Sequence, residues 1–124
     1  MSSKQLWVID DDAIFRMIVR TIAQASSTKW EVRELPTVQE ANQALQETNE
    51  VPDAILLDIN IPVGGGWLFL EEFERLRCEN GNSQLYVCSS SIDVNDKQRA
   101  AESLCVKRFV EKPLPFDFFE SLDS

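Results

Sequence analysis

The sequence predicts an α/β chain whose five strands form one parallel sheet, doubly wound with helices on both faces. Three observations carry this. Short apolar runs recur, and each stops at a polar or charged residue: Leu6–Ile9 before Asp10, Ala54–Leu57 before Asp58, Leu85–Cys88 before Ser89 and Phe109-Val110 before Glu111-Lys112. Between them lie stretches with apolar residues at helical spacing. The connections are short, and such alternation stacks helices on a parallel sheet. With 124 residues the chain is read as a single domain, residues 1–124, with no output domain attached.

Leu6-Trp7-Val8-Ile9 reads as a strand buried on both faces. Asp12 is placed to cap a helix with Phe15, Ile18, Val19 and Ile22 at its spacing. Ser26-Ser27-Thr28 is a loop. Trp30–Leu35 alternates apolar and charged residues, as an edge strand with one wet face does. Thr37-Val38-Gln39-Glu40 is a capping box, and Val38, Ala41, Ala44 and Leu45 form the inward stripe behind it. Asn49 to Pro52 closes that helix.

The strand over 54–58 follows, then Gly64-Gly65-Gly66 and a helix over about 66–79 that buries Phe69, Phe73 and Leu76. Asn80-Gly81-Asn82 ends it. After the strand Leu85–Cys88, a weaker helix is expected over about 93–104 with Val94, Ala101 and Leu104 facing in. The last strand, Arg108–Val110, runs to Glu111-Lys112-Pro113. Phe116, Phe118, Phe119 and Leu122 predict a short closing helix. Trp7 is assigned to the core, Trp30 to a lid at the sheet edge and Trp67 to the neighbourhood of the glycines.

Composition narrows the function. A net charge of -9 argues against nucleic acid as a direct partner, which needs a basic patch. The chain has no histidine, which excludes His-based metal sites and Ser-His or Cys-His catalysis. Cys78, Cys88 and Cys105 are odd in number and lack a CxxC spacing, so they read as thiols without a disulfide framework or zinc site. There is no signal segment and no membrane-spanning run, so a cytoplasmic location with no membrane association is expected.

A parallel sheet brings all carboxyl strand ends to one rim, where open α/β sheets do their chemistry. That rim carries Asp10, Asp11, Asp12, Asp58, Ser89 and Lys112. Crowded carboxylates call for a cation, and magnesium prefers hard oxygen ligands with retained water. An aspartate beside it can act as a nucleophile toward phosphorus. A hydroxyl and an ammonium would then neutralise the phosphoryl oxygens.

With this set of residues, the chain resembles the CheY-like receiver domain of two-component response regulators. Five motifs carry the likeness, in family order: Val8-Ile9-Asp10-Asp11-Asp12, Ile55-Leu56-Leu57-Asp58-Ile59-Asn60-Ile61-Pro62, Gly66, Val87-Cys88-Ser89-Ser90-Ser91 and Phe109-Val110-Glu111-Lys112-Pro113. The resemblance implies a flavodoxin-like (βα)5 fold with strand order 2-1-3-4-5. It implies that Asp58 is the phosphoacceptor. Asp10, Asp11, Asp58 and the backbone carbonyl of Asn60 would ligate Mg²⁺, while Ser89 and Lys112 would meet the phosphoryl oxygens. Ser89 and Phe109 would be the switch residues, and the Lys112–Pro113 peptide is often cis in the family. A sensor histidine kinase or histidine phosphotransfer protein would be the donor, a downstream protein the target, and the chain a monomer or weak dimer. It would be no enzyme beyond its own phosphorylation and dephosphorylation. Asn60 and Ser91 are the candidates for setting phosphoryl lifetime. The Ile61-Pro62-Val63-Gly64-Gly65-Gly66 loop departs from the family's Met-Pro-x-Met-Asp-Gly.

Two other readings compete. Asp10-Asp11-Asp12-Ala13-Ile14 loosely resembles the Asp-x-Asp motif of haloacid-dehalogenase-type phosphatases, with Asp10 as nucleophile and Asp12 as acid/base. The third is a receiver-like binding module that is never phosphorylated.

Overall fold

The computed structural model describes residues 3–48, 51–62, 65–76, 83–90 and 93–122. The elements are β1 (Lys4–Ile9), α1 (Ala13–Ala25), β2 (Trp30–Leu35), α2 (Val38–Glu47), β3 (Ala54–Asp58), α3 (Gly65–Leu76), β4 (Gln84–Ser89), α4 (Val94–Glu102) and β5 (Val106–Glu111). All strand pairs are parallel and the sheet runs β2-β1-β3-β4-β5, the expected order. Among the described residues no helix is long and apolar enough to cross a membrane.

The strand period of two divides the core between two layers. Trp7 and Ile9 of β1, Ile55 and Leu57 of β3 and Leu85 and Val87 of β4 face α2 and α3, where Leu45, Phe69 and Phe73 meet them. Leu6, Val8, Leu56 and Tyr86 face the other way, onto Phe15 and Val19 of α1 and onto Phe118 and Phe119 near the C-terminus. β3 lies at the middle of the sheet and all of its residues are buried, which explains its unbroken apolar run.

The helix caps form as the sequence implies. Asp12 accepts from the Ile14 and Phe15 N–H groups. Thr37 accepts from Glu40 N–H, and the Thr37 hydroxyl in turn donates to the Glu40 carboxylate at 3.0 Å. Each such cap is worth about 1 kcal/mol.

Several local expectations are corrected. In α4 the buried residue is Ala100; Val94 is 72% and Leu104 99% exposed. The helix stops at Glu102 with Ser103 as its C-cap, so Leu104 has left the helical phase, and a register one residue earlier turns Ala101 outward. In α1, Ile18 is substantially exposed and the inward stripe is Phe15, Val19 and Ala23.

No fifth α-helix forms among the described residues. The chain after β5 passes through turns to a 3-10 segment, Glu120–Leu122. Phe118 and Phe119 are both almost fully buried, and each serves a different ring. Phe118 meets Tyr86 edge-on at 5.3 Å, and Phe119 tilts against Trp30 at 5.5 Å. A regular helix puts neighbours about 100° apart, so adjacent rings with separate seats favour a tighter path. Phe116 lies outward, 82% exposed.

Cys88 is a buried free thiol, whereas Cys105 is disulfide-bonded, against the reading of all cysteines as thiols. Cys78, Asn80-Gly81-Asn82, Gly64 and Ser91 lie outside the described residues.

Candidate functional site

The rim is assembled by four strand ends. β1 runs directly into Asp10, β3 ends on Asp58 and β4 ends on Ser89; Lys112 follows β5. Asp10, Asp58 and Ser89 are the buried polar residues of the described core, and Asp11 is exposed beside them. One ligand oxygen from each of Asp10, Asp11 and Asp58 lies within 4.8 Å of the others. That donor set, hard oxygens only, suits magnesium.

Lys112 closes the crevice. Its Nζ donates to Asp10 Oδ2 at 2.7 Å and stands 3.6 Å from Asp58 Oδ2. The ammonium also lies 4.2 Å from the centre of the Phe15 ring, a cation–π distance. The main chain holds Lys112 as well, because its N–H donates to the Ser89 carbonyl at 2.8 Å. The Lys112–Pro113 peptide is cis.

The two buried carboxylates are each oriented by a backbone donor. Asp10 Oδ1 accepts from Asp12 N–H at 2.9 Å, and Asp58 Oδ1 accepts from Asn60 N–H at 2.9 Å. The Asn60 side chain donates onward to Ser89 Oγ at 2.9 Å. Arg16 donates to the Asp10 carbonyl at 2.8 Å and pairs with Glu34 at 3.0 Å, which fixes the loop between β1 and α1. Arg20 bonds the same Glu34, and its hydrogen bond, more than Arg16's, holds the Glu34 carboxyl below the usual range.

The electrostatics follow from crowding. Burial pushes the Asp58 carboxyl above its ordinary range. The Asn60 N–H opposes this, Asp10 adds to it, Lys112 opposes it and Asp11 adds to it. Burial alone would lower Lys112, but its bond to Asp10 and the charges of Asp10 and Asp58 leave it raised. Beneath them, burial lifts the Cys88 thiol to about 12. The site therefore holds more negative charge than one lysine satisfies, which is what a divalent cation would relieve.

The loop after Asp58 is tight. A Cβ on Gly66 would fall 2.5 Å from the Asp58 carbonyl oxygen and 2.9 Å from Ile59 Cα, and Gly66 N–H bonds the Ile59 carbonyl at 3.0 Å. Gly65 has φ +69°, and its Cβ would meet the Ile59 carbonyl at 2.8 Å. These glycines let the start of α3 press on the backbone of the acceptor strand.

The structure thus brings together Asp10, Asp11, Asp58, Ser89 and Lys112, with Asn60 between Asp58 and Ser89. Asp12 is spent on the helix cap. Phe109 is not at the rim. It pairs with Val87 inside the sheet, half-buried, with Lys97 of α4 5.9 Å from its ring centre. Trp67 stacks under Arg99 of α4 at 4.3 Å. Sequence reasoning missed the roles of Phe15 and Arg16 and the bond from the Asn60 side chain to Ser89. Only Asn60 carried a signal, its place two residues after the acceptor.

Comparison with known proteins agrees with this geometry. The family model described as response regulator receiver domain matches residues 6–121. A two component response regulator from Cytophaga hutchinsonii superposes with TM-score 0.87 at 27% identity, covering 98% of this chain and 96% of that one. A CheY-like receiver domain protein from Methanospirillum hungatei gives TM-score 0.80 at 20% identity, over 98% and 92% of the two chains. The phosphorylated cyanobacterial phytochrome response regulator RcpA gives 0.81 at 22%, over 98% and 89%. No curated protein matches in sequence. With the parallel order, the acidic rim and a family match over nearly its whole length, this chain belongs to the response regulator receiver domains of two-component signalling.

Proposed function

We propose that Asp58 accepts a phosphoryl group from a phosphohistidine on a sensor kinase or histidine phosphotransfer protein, and that the chain is a cytoplasmic, phosphorylation-dependent switch. The observation that carries this reading is the meeting of Asp58 with Asp10, Asp11 and Lys112 at one rim. A carboxylate oxygen of Asp58 attacks phosphorus. The P–N bond breaks, its electron pair leaves with the imidazole, and a mixed anhydride forms on Asp58. The Lys112 ammonium and the Ser89 hydroxyl take up the negative charge of the phosphoryl oxygens.

Asp10, Asp11, Asp58 and the Asn60 carbonyl would hold Mg²⁺, which when bound supplies further positive charge to those oxygens. The added charge at Asp58 biases a two-state element. Ser89 and Phe109 would move with it, and α4, β5 and the segment after β5 would present the altered face to a downstream protein. The only phosphoryl compound turned over would be its own aspartyl phosphate.

The phosphatase reading loses support at Asp10 and Asp12. Asp10 is buried with both carboxylate oxygens engaged, by Asp12 N–H and by Lys112, and Asp12 accepts from the start of α1. Incubation with Mg²⁺ and acetyl phosphate, followed by intact mass, tests the proposal. One phosphoryl mass is expected on the wild-type protein and none on Asp58→Asn. Unmodified wild-type protein would sink the switch reading and leave the never-phosphorylated module. Turnover of a phosphate ester by Asp58→Asn protein would favour the phosphatase.

A further inference from the structure

The Lys112 ammonium meets two carboxylates and an aromatic ring. Asp10 Oδ2 accepts from Nζ at 2.7 Å, Asp58 Oδ2 stands 3.6 Å away, and Nζ lies over the face of Phe15, 4.2 Å from the ring centre. That is the shortest cation-to-ring distance among the described residues. Both sides of the contact are largely withdrawn from water: Phe15 is 6% exposed and the Lys112 side chain 15%. A ring face attracts a cation more strongly when the pair is desolvated. The main chain fixes each partner separately. Phe15 sits in the first turn of α1, where its N–H donates to the Asp12 cap at 3.3 Å, and Lys112 N–H donates to the Ser89 carbonyl at 2.8 Å.

We propose that Phe15 is a positioning residue whose ring face holds the Lys112 ammonium at the crevice for a phosphoryl group on Asp58. The inference rests on the phosphoacceptor reading above. An ammonium offers three donors. Asp10 takes one, and the ring attracts the charge as a whole rather than fixing any one N–H. The ammonium can therefore lean toward new oxygens on Asp58 while it stays over the ring. A carboxylate or carbonyl in the ring's place would bind an N–H outright and compete with the phosphoryl oxygens. An aliphatic side chain there would desolvate the charge and return nothing to it.

Graded removal of the ring's negative face tests it. Phe15→Leu keeps an apolar side chain without the ring. Mono-, di- and trifluorophenylalanine at position 15 keep the ring and draw negative charge off its face in steps. The initial rate of acyl-phosphate formation from acetyl phosphate is read at saturating Mg²⁺, with urea midpoints confirming that each protein is folded. Phe15→Leu is expected to lower the rate roughly fivefold. The fluorinated series should step down in order between wild type and Phe15→Leu. In a Lys112→Met background, which keeps a long side chain and loses the charge, the same series should be flat. A purely structural role predicts rates that do not follow the number of fluorines, because the fluorinated ring still fills the core. A flat series with Lys112 in place, or an equal decline without it, would overturn the proposal and leave the phosphoacceptor reading intact. Should the Lys112→Met protein form no measurable acyl phosphate, the series with Lys112 in place decides. Wild-type protein that takes no phosphoryl group would overturn both.

Discussion

Lys112 Nζ lies 2.7 Å from Asp10 Oδ2, joining residues 102 positions apart in a pair that is almost closed to solvent. Asp58 is 3.6 Å from the same ammonium, so one cation serves two carboxylates. Breaking a buried pair from one side leaves the other charge uncompensated. Lys112→Ala is therefore expected to destabilise the fold by roughly 3 kcal/mol in chelator. Because Mg²⁺ would replace part of the lost positive charge, the deficit should narrow when the ion is added. Urea unfolding with and without Mg²⁺ checks both parts. An equal loss in the two buffers would count against a cation site at Asp10, Asp11 and Asp58.

Asp58→Asn should stabilise the metal-free protein at neutral pH by about 1 kcal/mol. It removes a buried like charge and retains the oxygen that accepts from Asn60 N–H. The sign of the pH dependence follows from the raised carboxyl. Unfolded Asp58 loses its proton near the ordinary value of 3.8, while the folded protein keeps it to higher pH. Over that window the native state binds more protons, so this group makes wild-type stability fall as pH rises. The advantage of Asp58→Asn should be absent below about pH 3.8 and grow above it. Paired urea titrations across acid pH measure it. A gap independent of pH would refute the electrostatic cause.

Gly66→Ala should cost about 1–3 kcal/mol, because its Cβ would fall 2.5 Å from the Asp58 carbonyl oxygen. The colliding atom belongs to the backbone of the central strand and cannot swing aside. Relief would displace the acceptor, so the phosphorylation rate should fall together with stability. Unchanged stability would mean that the contact relaxes freely.

Phe118→Ala should cost roughly 3–5 kcal/mol, since the ring is buried against Tyr86 and Phe119. Phe116→Ala, two residues earlier and 82% exposed, should change stability by no more than about 0.5 kcal/mol. Denaturant midpoints of the two variants check the path of the chain after β5. Comparable losses would indicate a regular helix there that buries Phe116 too.

The sequence by itself determined the fold class, the strands and the identity of the rim. Local patterns suffice for this: apolar runs ending in acid mark strands that must be buried, and parallel order sends their ends to one side. Asp10, Asp58 and Ser89 were legible because each immediately follows such a run, and Lys112 because it is the first residue after the last strand. The five family motifs confirmed their order along the chain.

Tertiary structure alone decided which of these groups bond to one another. The Lys112–Asp10 pair, Phe15 beneath the ammonium and the reach of Asn60 to Ser89 join distant positions, and no local period encodes them. Packing also set the phase of α4, where one exposed alanine and one buried one differ by a single residue of register. The close of the chain was decided in the same way. Phe118 and Phe119 read in sequence as part of a helix, but in the fold they pack edge-on against each other and reach different rings of the sheet, Tyr86 and Trp30. The glycines after Asp58 read from sequence as a departure from the family's loop. In the folded protein Gly65 and Gly66 are where a helix meets the acceptor strand too closely for any side chain.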